Sequence, residues 1–182
     1  MSKAKPVSSL LWILIPAMVL FVYLFYKGVA QQDRGIGEGQ AAPLVSVTTA
    51  TGEAVSLASL QGKVVLLHFW ATWCGPCKDE LPTLEAFMAT LKDNPAFVPL
   101  LVSEDLGGAA DTEPFRKRYG IQAAFHYDPD AKAADAFGSS RIPETYLIRR
   151  SGTVVKKWTG PVNWADPAVA AVVKDTLLSI KY

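Results

Sequence analysis

Val64-Val65-Leu66-Leu67-His68-Phe69-Trp70-Ala71-Thr72-Trp73-Cys74-Gly75-Pro76-Cys77-Lys78-Asp79-Glu80-Leu81 is the stretch on which the reading of this chain turns. An apolar run rich in valine and leucine, suited to a strand buried on both faces, ends in two cysteines. Beyond them Leu81, Leu84, Phe87, Met88 and Leu91 recur at helical spacing. The chain has no other cysteine. Two thiols three positions apart at a strand-to-helix junction point to reversible disulfide chemistry. A structural zinc site needs four ligands, and the chain adds only His68 and His126. Covalent haem attachment needs a histidine directly after the second cysteine, where Lys78 stands.

Outward from this stretch the pattern is mixed α/β. Residues 44–48 and 53–57 flank a turn containing Gly52 and predict a β-hairpin. The helix after Cys74 contains Pro82, where a kink is expected, and Asn94-Pro95 ends it. Residues 96–103 read as the next strand, and 104–110 as a glycine-containing loop. Asp111 or Thr112 is placed to cap a helix that Gly120 closes. A short strand over 123–127 precedes Asp128-Pro129, read as a cap followed by proline at the first helical position, with that helix running to Phe137. Residues 145–150 and 153–158 form a second hairpin around Ser151-Gly152. Asp166-Pro167 then opens a last helix with Val169, Val172, Val173, Leu177 and Ile180 on one face. The expected architecture is a mixed central sheet with helices on both faces.

Composition narrows the setting. The chain has 182 residues and a net charge of +1, which gives no basis for a nucleic-acid partner. Leu10 to Tyr26 carries no charged residue, at the short limit of a bilayer-spanning helix. Trp12, Tyr23, Tyr26 and Lys27 suit its two interfaces. The expected organisation is a cytoplasmic N-terminus over 1–9, a transmembrane anchor over 10–26, a flexible linker over 27–41 and a folded domain over 42–182. A cleaved signal peptide ending at Gly28-Val29-Ala30 is the alternative, and either reading exports the domain. Lys3 and Lys5 favour an N-in orientation.

At the cysteine pair each residue has an expected task. Cys74, at a helix N-terminus, sits where unpaired amides and the helix dipole stabilise a thiolate, so it is the attacking sulfur. Cys77, further into the helix, resolves the mixed disulfide. Gly75 and Pro76 suit the tight turn. Pro143 reads on its own either as an ordinary loop proline or as a cis-proline that turns the Ile142 backbone toward the thiols for strand-like pairing with substrate.

Trp73-Cys74-Gly75-Pro76-Cys77, Pro82 and Ile142-Pro143 before two strands resemble the thioredoxin fold. The export segment, the hairpin at 44–57, Phe69 to Cys74, Glu80-Leu81-Pro82 and Ile142 to Ile148 resemble more closely the membrane-anchored TlpA/ResA/DsbE group. This resemblance covers about residues 42–165, with 106–128 matching that group's inserted element. It implies a thiol-disulfide oxidoreductase, most directly a reductase of protein disulfides outside the bacterial cytoplasmic membrane. Its clients would belong to cytochrome c maturation or copper-site assembly. Its electrons would come from a membrane thiol transporter of the DsbD/CcdA type, with no cofactor beyond the Cys74–Cys77 pair. It implies that Pro143 is cis, that Trp73, Gly75, Pro76, Ile142 and Pro143 line the substrate groove, and that Glu80 is an active-site acid.

His68 departs from the pattern, since thioredoxins have Asp there and TlpA relatives often Asn. It is read either as a proton acceptor for Cys77, with a pKa near the working pH, or as a hydrogen-bonded core residue. Two other functions compete. A Cu(I) chaperone would use Cys74, Cys77 and His126, although His126 itself reads as a loop or edge residue. A thiol peroxidase would want threonine where Ala71 stands, one place before Thr72. No chemistry is assigned to Trp158 or Trp164, which are expected to pack near the closing hairpin.

Overall fold

The computed structural model describes residues 8–30 and 35–179, with side chains for 14–26 and 35–179. The chain divides into two units, one ending at Arg34 and the other starting at Gly35. In the first, helix α1 spans Ser8–Ala30 with Pro16 inside it. Among the described residues no helix is long and apolar enough to cross a membrane. Most of the expected N-terminal segment 1–9, and residues 31–34 of the expected linker, lie outside the described residues.

The second unit is a seven-stranded mixed sheet. Its elements in chain order are β1 (Ser46–Thr48), β2 (Ala54–Ser56), β3 (Val64–Trp70), α2 (Gly75–Ala89), β4 (Phe97–Ser103), α3 (Ala109–Tyr119), β5 (Phe125–Tyr127), α4 (Lys132–Phe137), β6 (Glu144–Ile148), β7 (Val154–Thr159) and α5 (Pro167–Leu178). The strand order is β2-β1-β5-β4-β3-β6-β7. β3 lies at the centre of the chemistry, parallel to β4 and antiparallel to β6. All seven of its residues are buried, as its unbroken apolar sequence requires. Alternation then sorts the side chains. Val64, Leu66 and Trp70 pack with α2 and α5 on one face, while Val65, Leu67 and Phe69 pack with α4 on the other.

Several local expectations shift for identifiable reasons. The folded unit begins at Gly35 rather than 42, because residues 36–42 satisfy their backbone groups on the end of α4 and on the turn and first residue of β7. Ile36 N–H donates to the Phe137 carbonyl, Gly39 N–H to that of Val154, and Val154 N–H to that of Gln40. Glu38 adds an ion pair with Lys156 at 2.8 Å. α3 starts at Ala109 behind Gly108, so neither Asp111 nor Thr112 is its cap: Asp111 accepts from Gly107 N–H, and Thr112 is buried against Tyr127. α4 starts at Lys132 instead of beside Pro129. Asp128 still serves it from a distance, accepting from the amides of Ala133 and Ala134 at 2.8 and 3.0 Å. Asp166 caps α5 through Ala168 N–H. Of the α5 face, Val173 and Leu177 are buried, whereas Ile180 lies outside the described residues. α2 runs through Pro82 as one helix. Pro99 is tolerated in β4 because β5 pairs only with Leu101–Ser103.

Candidate active site

β3 delivers the chain to the sheet's edge at Trp70, and α2 begins five residues later. Cys74 is the N-cap of α2, with Gly75 and Pro76 opening the first turn. Cys74 and Cys77 are joined in a disulfide. The Cys77 amide donates to Cys74 Sγ at 3.2 Å, the contact that would hold a thiolate after reduction. Cys74 is 6% exposed and Cys77 wholly buried, so the first sulfur is the one a client can reach. Trp73 beside it stands 67% exposed. A Cβ on Gly75 would meet nothing within 4 Å, so packing does not keep that position small.

The Ile142–Pro143 peptide bond is cis. The register pairs Phe69 with Glu144, which puts Pro143 level with Trp70, at the end of the strand that leads to the cysteines. Ile142 is half-buried, and the Pro143 carbonyl accepts from Gly160 N–H at 2.8 Å.

Glu80 lies one turn beyond Cys77 on α2 and is 3% exposed. Its Oε1 accepts from the Trp164 indole N–H, while Oε2 is buried with no hydrogen-bond partner among the described residues. Burial pushes the carboxyl up to about 7, against smaller opposing effects of the indole and the nearby Val162 backbone. Trp164 is itself fixed between Phe87 and Trp158, with ring centroids 5.5 and 5.6 Å away. Sequence reading gave it packing alone. Trp164 is 84 residues from Glu80, and no local pattern ties the two together.

His68 is wholly buried, and its Nδ1 shares a 2.8 Å hydrogen bond with Thr145 Oγ1 on β6. Desolvation presses its pKa down to about 3. The expected pKa near the working pH is therefore corrected: this imidazole is neutral throughout the ordinary range. Its Nε2 has no partner among the described residues.

A second device, also unread in the sequence, braces the loop before Cys74. Asp105 accepts from Thr72 N–H at 2.9 Å and from Thr72 Oγ–H at 2.6 Å, and Ser103 Oγ donates to it at 2.8 Å. The Thr72 hydroxyl is thereby occupied, and the buried residue at the place a peroxidase threonine would hold is Ala71. His126 is a half-buried residue of β5, not of a loop; it pairs in register with Val102, while on the β1 side only Tyr127 is paired. Among the described residues no three His, Cys, Asp or Glu side chains are grouped to hold a metal ion, so the Cu(I) set of Cys74, Cys77 and His126 is not assembled.

The model of the AhpC/TSA family matches residues 38–157, which include β3, both cysteines and Pro143. The chain belongs to the AhpC/TSA family. Within it, the chain is 33% identical over 149 residues to the thiol-disulfide oxidoreductase ResA of Bacillus subtilis, covering 81% of this chain and 82% of that one. It is 31% identical over 161 residues to ResA of Halalkalibacterium halodurans, covering 88% and 90%. A thiol:disulfide interchange protein from Chlorobium tepidum superposes with a TM-score of 0.62 at 27% identity, over 79% of this chain and 97% of its own. StoA from Bacillus subtilis, at 22% identity and a TM-score of 0.61, shares the fold. This AhpC/TSA member is thus a thiol-disulfide oxidoreductase of the ResA type, with Cys74 and Cys77 as its close cysteine pair.

Proposed function

We propose that the protein is a membrane-tethered, extracytoplasmic reductase of protein disulfides. The observation that carries the chemistry is the asymmetry of the pair: a reachable Cys74 at the N-cap of α2 and a wholly buried Cys77 behind it. In the reduced protein the Cys74 thiolate attacks one sulfur of a client disulfide. The client's other sulfur leaves with the electron pair and takes up a proton. Cys77 then loses its proton and attacks Cys74 Sγ, which releases the second client sulfur as a thiolate. Two electrons pass to the client, and the Cys74–Cys77 disulfide remains. Glu80 is the group suited to receive the Cys77 proton, because its carboxyl titrates near 7 and its Oε2 has no hydrogen-bond partner among the described residues. His68 is a poor base at that pH. Trp73, Gly75, Pro76, Ile142 and Pro143 would line the client's path.

The direction of electron flow rests on the Gly-Pro dipeptide between the cysteines and on the resemblance to ResA-type reductases. A reduction potential near thioredoxin's ~−270 mV is expected; a value near DsbA's ~−120 mV would make the protein an oxidant instead. The tether rests on the uncharged run 10–26 and on α1, whose large apolar side chains from Leu14 to Tyr26 are more than half exposed. It predicts that the full chain stays with membranes after alkaline washing. Clients in cytochrome c maturation or copper-site assembly, and a DsbD/CcdA-type transporter as electron donor, complete the proposal. A Cys77→Ala variant should trap these clients as mixed disulfides through Cys74, and an empty trap in the exported compartment would count against it.

A further inference from the structure

Leu106, in the loop between β4 and α3, is 87% exposed, the most of any large apolar side chain among the described residues. A single exposed leucine means little by itself. Its setting gives this one significance, because the backbone on either side is fixed. Glu104 N–H donates to the Trp70 carbonyl at 2.9 Å and Asp105 N–H to Ser103 Oγ at 3.0 Å. Beyond Leu106, Gly107 N–H donates to Asp111 Oδ2 and Gly108 N–H to the Asp105 carbonyl, both at 2.9 Å. A Cβ at Gly107 would stand 2.5 Å from Asp111 Oδ2, so a larger residue there would have to displace the Asp111 carboxylate. The residue before Leu106 is Asp105, 3% exposed, whose carboxylate holds both the amide and the hydroxyl of Thr72. Thr72 in turn precedes Trp73, and Cys74 follows. One buried carboxylate thus ties together two loops, each of which presents a large apolar side chain to solvent: Trp73 directly before Cys74, and Leu106 directly after the clamping Asp105.

We propose that Leu106 and Trp73 form an apolar shelf that binds the client polypeptide beside its disulfide, favouring clients with an aliphatic or aromatic residue next to the cystine. This rests on Cys74 being the sulfur that clients meet. A protein disulfide reaches that sulfur only with its own chain laid over the neighbouring surface, so the occupant is the client chain. The fixed loops mean that little order has to be acquired on binding, which is where a preorganised surface gains affinity. Asp105 is consumed by its partners within the clamp, leaving the shelf to recognise side chains by burial rather than by charge.

The test uses the full chain and two short peptides, each closed by one internal disulfide, with leucine beside the cysteines in one and serine in the other. Leu106→Ser should lower kcat/KM for the leucine peptide about 5–20-fold, the loss expected from leaving one such side chain uncovered. Turnover of the serine peptide should be unchanged, and Leu106→Met should recover most of the leucine-peptide rate. An equal loss on both peptides would mean that Leu106 supports the cysteine loop, and no loss on either would mean that clients do not touch it. Each overturns the shelf. Should the parent protein exchange with neither peptide, the reading of Cys74 as the entry sulfur fails, and the shelf falls with it.

Discussion

Two glutamates, Glu80 and Glu144, are each 3% exposed, and they lie on opposite faces of the sheet. Glu80 sits on α2, whose buried residues pack in one cluster with Trp70 and Trp164; Glu144 bonds Tyr146, which packs with Phe137 in the other. Glu144 is fully served. Tyr146 OH donates to Oε2 at 2.6 Å, Thr159 Oγ–H to Oε1 at 3.0 Å, and Lys157 Nζ lies 3.1 Å from Oε1. The antiparallel register makes this possible, since Glu144 faces Thr159 and Tyr146 faces Lys157 across β6 and β7. Glu80 has only neutral groups to favour its charge, the Trp164 indole and the nearby Val162 backbone, with no cation and with Oε2 lacking a hydrogen-bond partner among the described residues. Equal burial therefore gives unequal chemistry. A carboxylate supplied with a cation and two hydroxyls is part of the framework, whereas one denied them is left to trade a proton near neutrality.

The largest expected effect comes from breaking the satisfied side. Glu144→Leu removes the carboxylate and leaves Lys157, whose side chain is 15% exposed, without its ion pair. A loss of about 3–5 kcal/mol in unfolding free energy is expected, read as a lower urea midpoint with an unchanged slope. A loss below about 1 kcal/mol would show that the network is ornamental and that the contrast with Glu80 is not one of partners.

His68 and Glu80 give the next two effects, and their signs are opposite. An imidazole that titrates near 6.5 when unfolded and near 3 when folded contributes stability above pH 6.5 that is lost as pH falls. His68→Asn should therefore shrink the stability difference between pH 7 and pH 4.5 by about 2–3 kcal/mol. For Glu80 the folded carboxyl near 7 holds a proton that the unfolded one gives up near 4.5, so stability falls as pH rises between those values. Glu80→Gln keeps an acceptor for the Trp164 indole and cannot ionise. It should be more stable than the parent at pH 8 by about 2–3 kcal/mol and equal to it at pH 4. Glu104 is raised to about 7 by burial and by Asp128, Asp135, Glu144 and Asp105, so part of the neutral-pH slope will survive in the variant. Denaturant titrations across pH 4–8 check both. A Glu80→Gln curve parallel to the parent's would remove Glu80 as a titrating group.

The sheet was legible because its information is local. The run 64–70 is apolar at every position but one, and the helices that follow carry glycine or aspartate at their ends. The cysteine pair was legible for the same reason. What sequence could not show were contacts that exist only once the sheet has formed. Asp105 with Thr72 and Trp164 with Glu80 join residues 33 and 84 positions apart, and neither side of either pair has a local signature. His68 shows the converse failure. Its identity was plain, but its pKa depends on how completely the two layers close over it, and periodicity does not give the depth of burial. The early start of the domain at Gly35 was hidden by a polar, glycine-rich composition that also fits a strand-edge partner held mainly by backbone hydrogen bonds, with the Glu38–Lys156 ion pair added.

The smallest expected effect sharpens the comparison most, because it moves one hydrogen bond and no charge. Trp164→Phe keeps a ring between Phe87 and Trp158 but removes the indole N–H from Glu80 Oε1. That donor favours the ionised carboxylate, so its loss should raise the Glu80 pKa further. If Glu80 receives the Cys77 proton, the ascending limb of the pH–rate profile for disulfide reduction should move up by about 0.5–1 pH unit. The rate on its plateau should change less than the limb. A purely structural role for Trp164 predicts the reverse, a lower plateau with the limb in place. In a Glu80→Gln background the Trp164→Phe shift should vanish, since the group it acts through can no longer ionise. A shift that persisted there would assign the limb to another group, and Glu80 would then differ from Glu144 in stability alone.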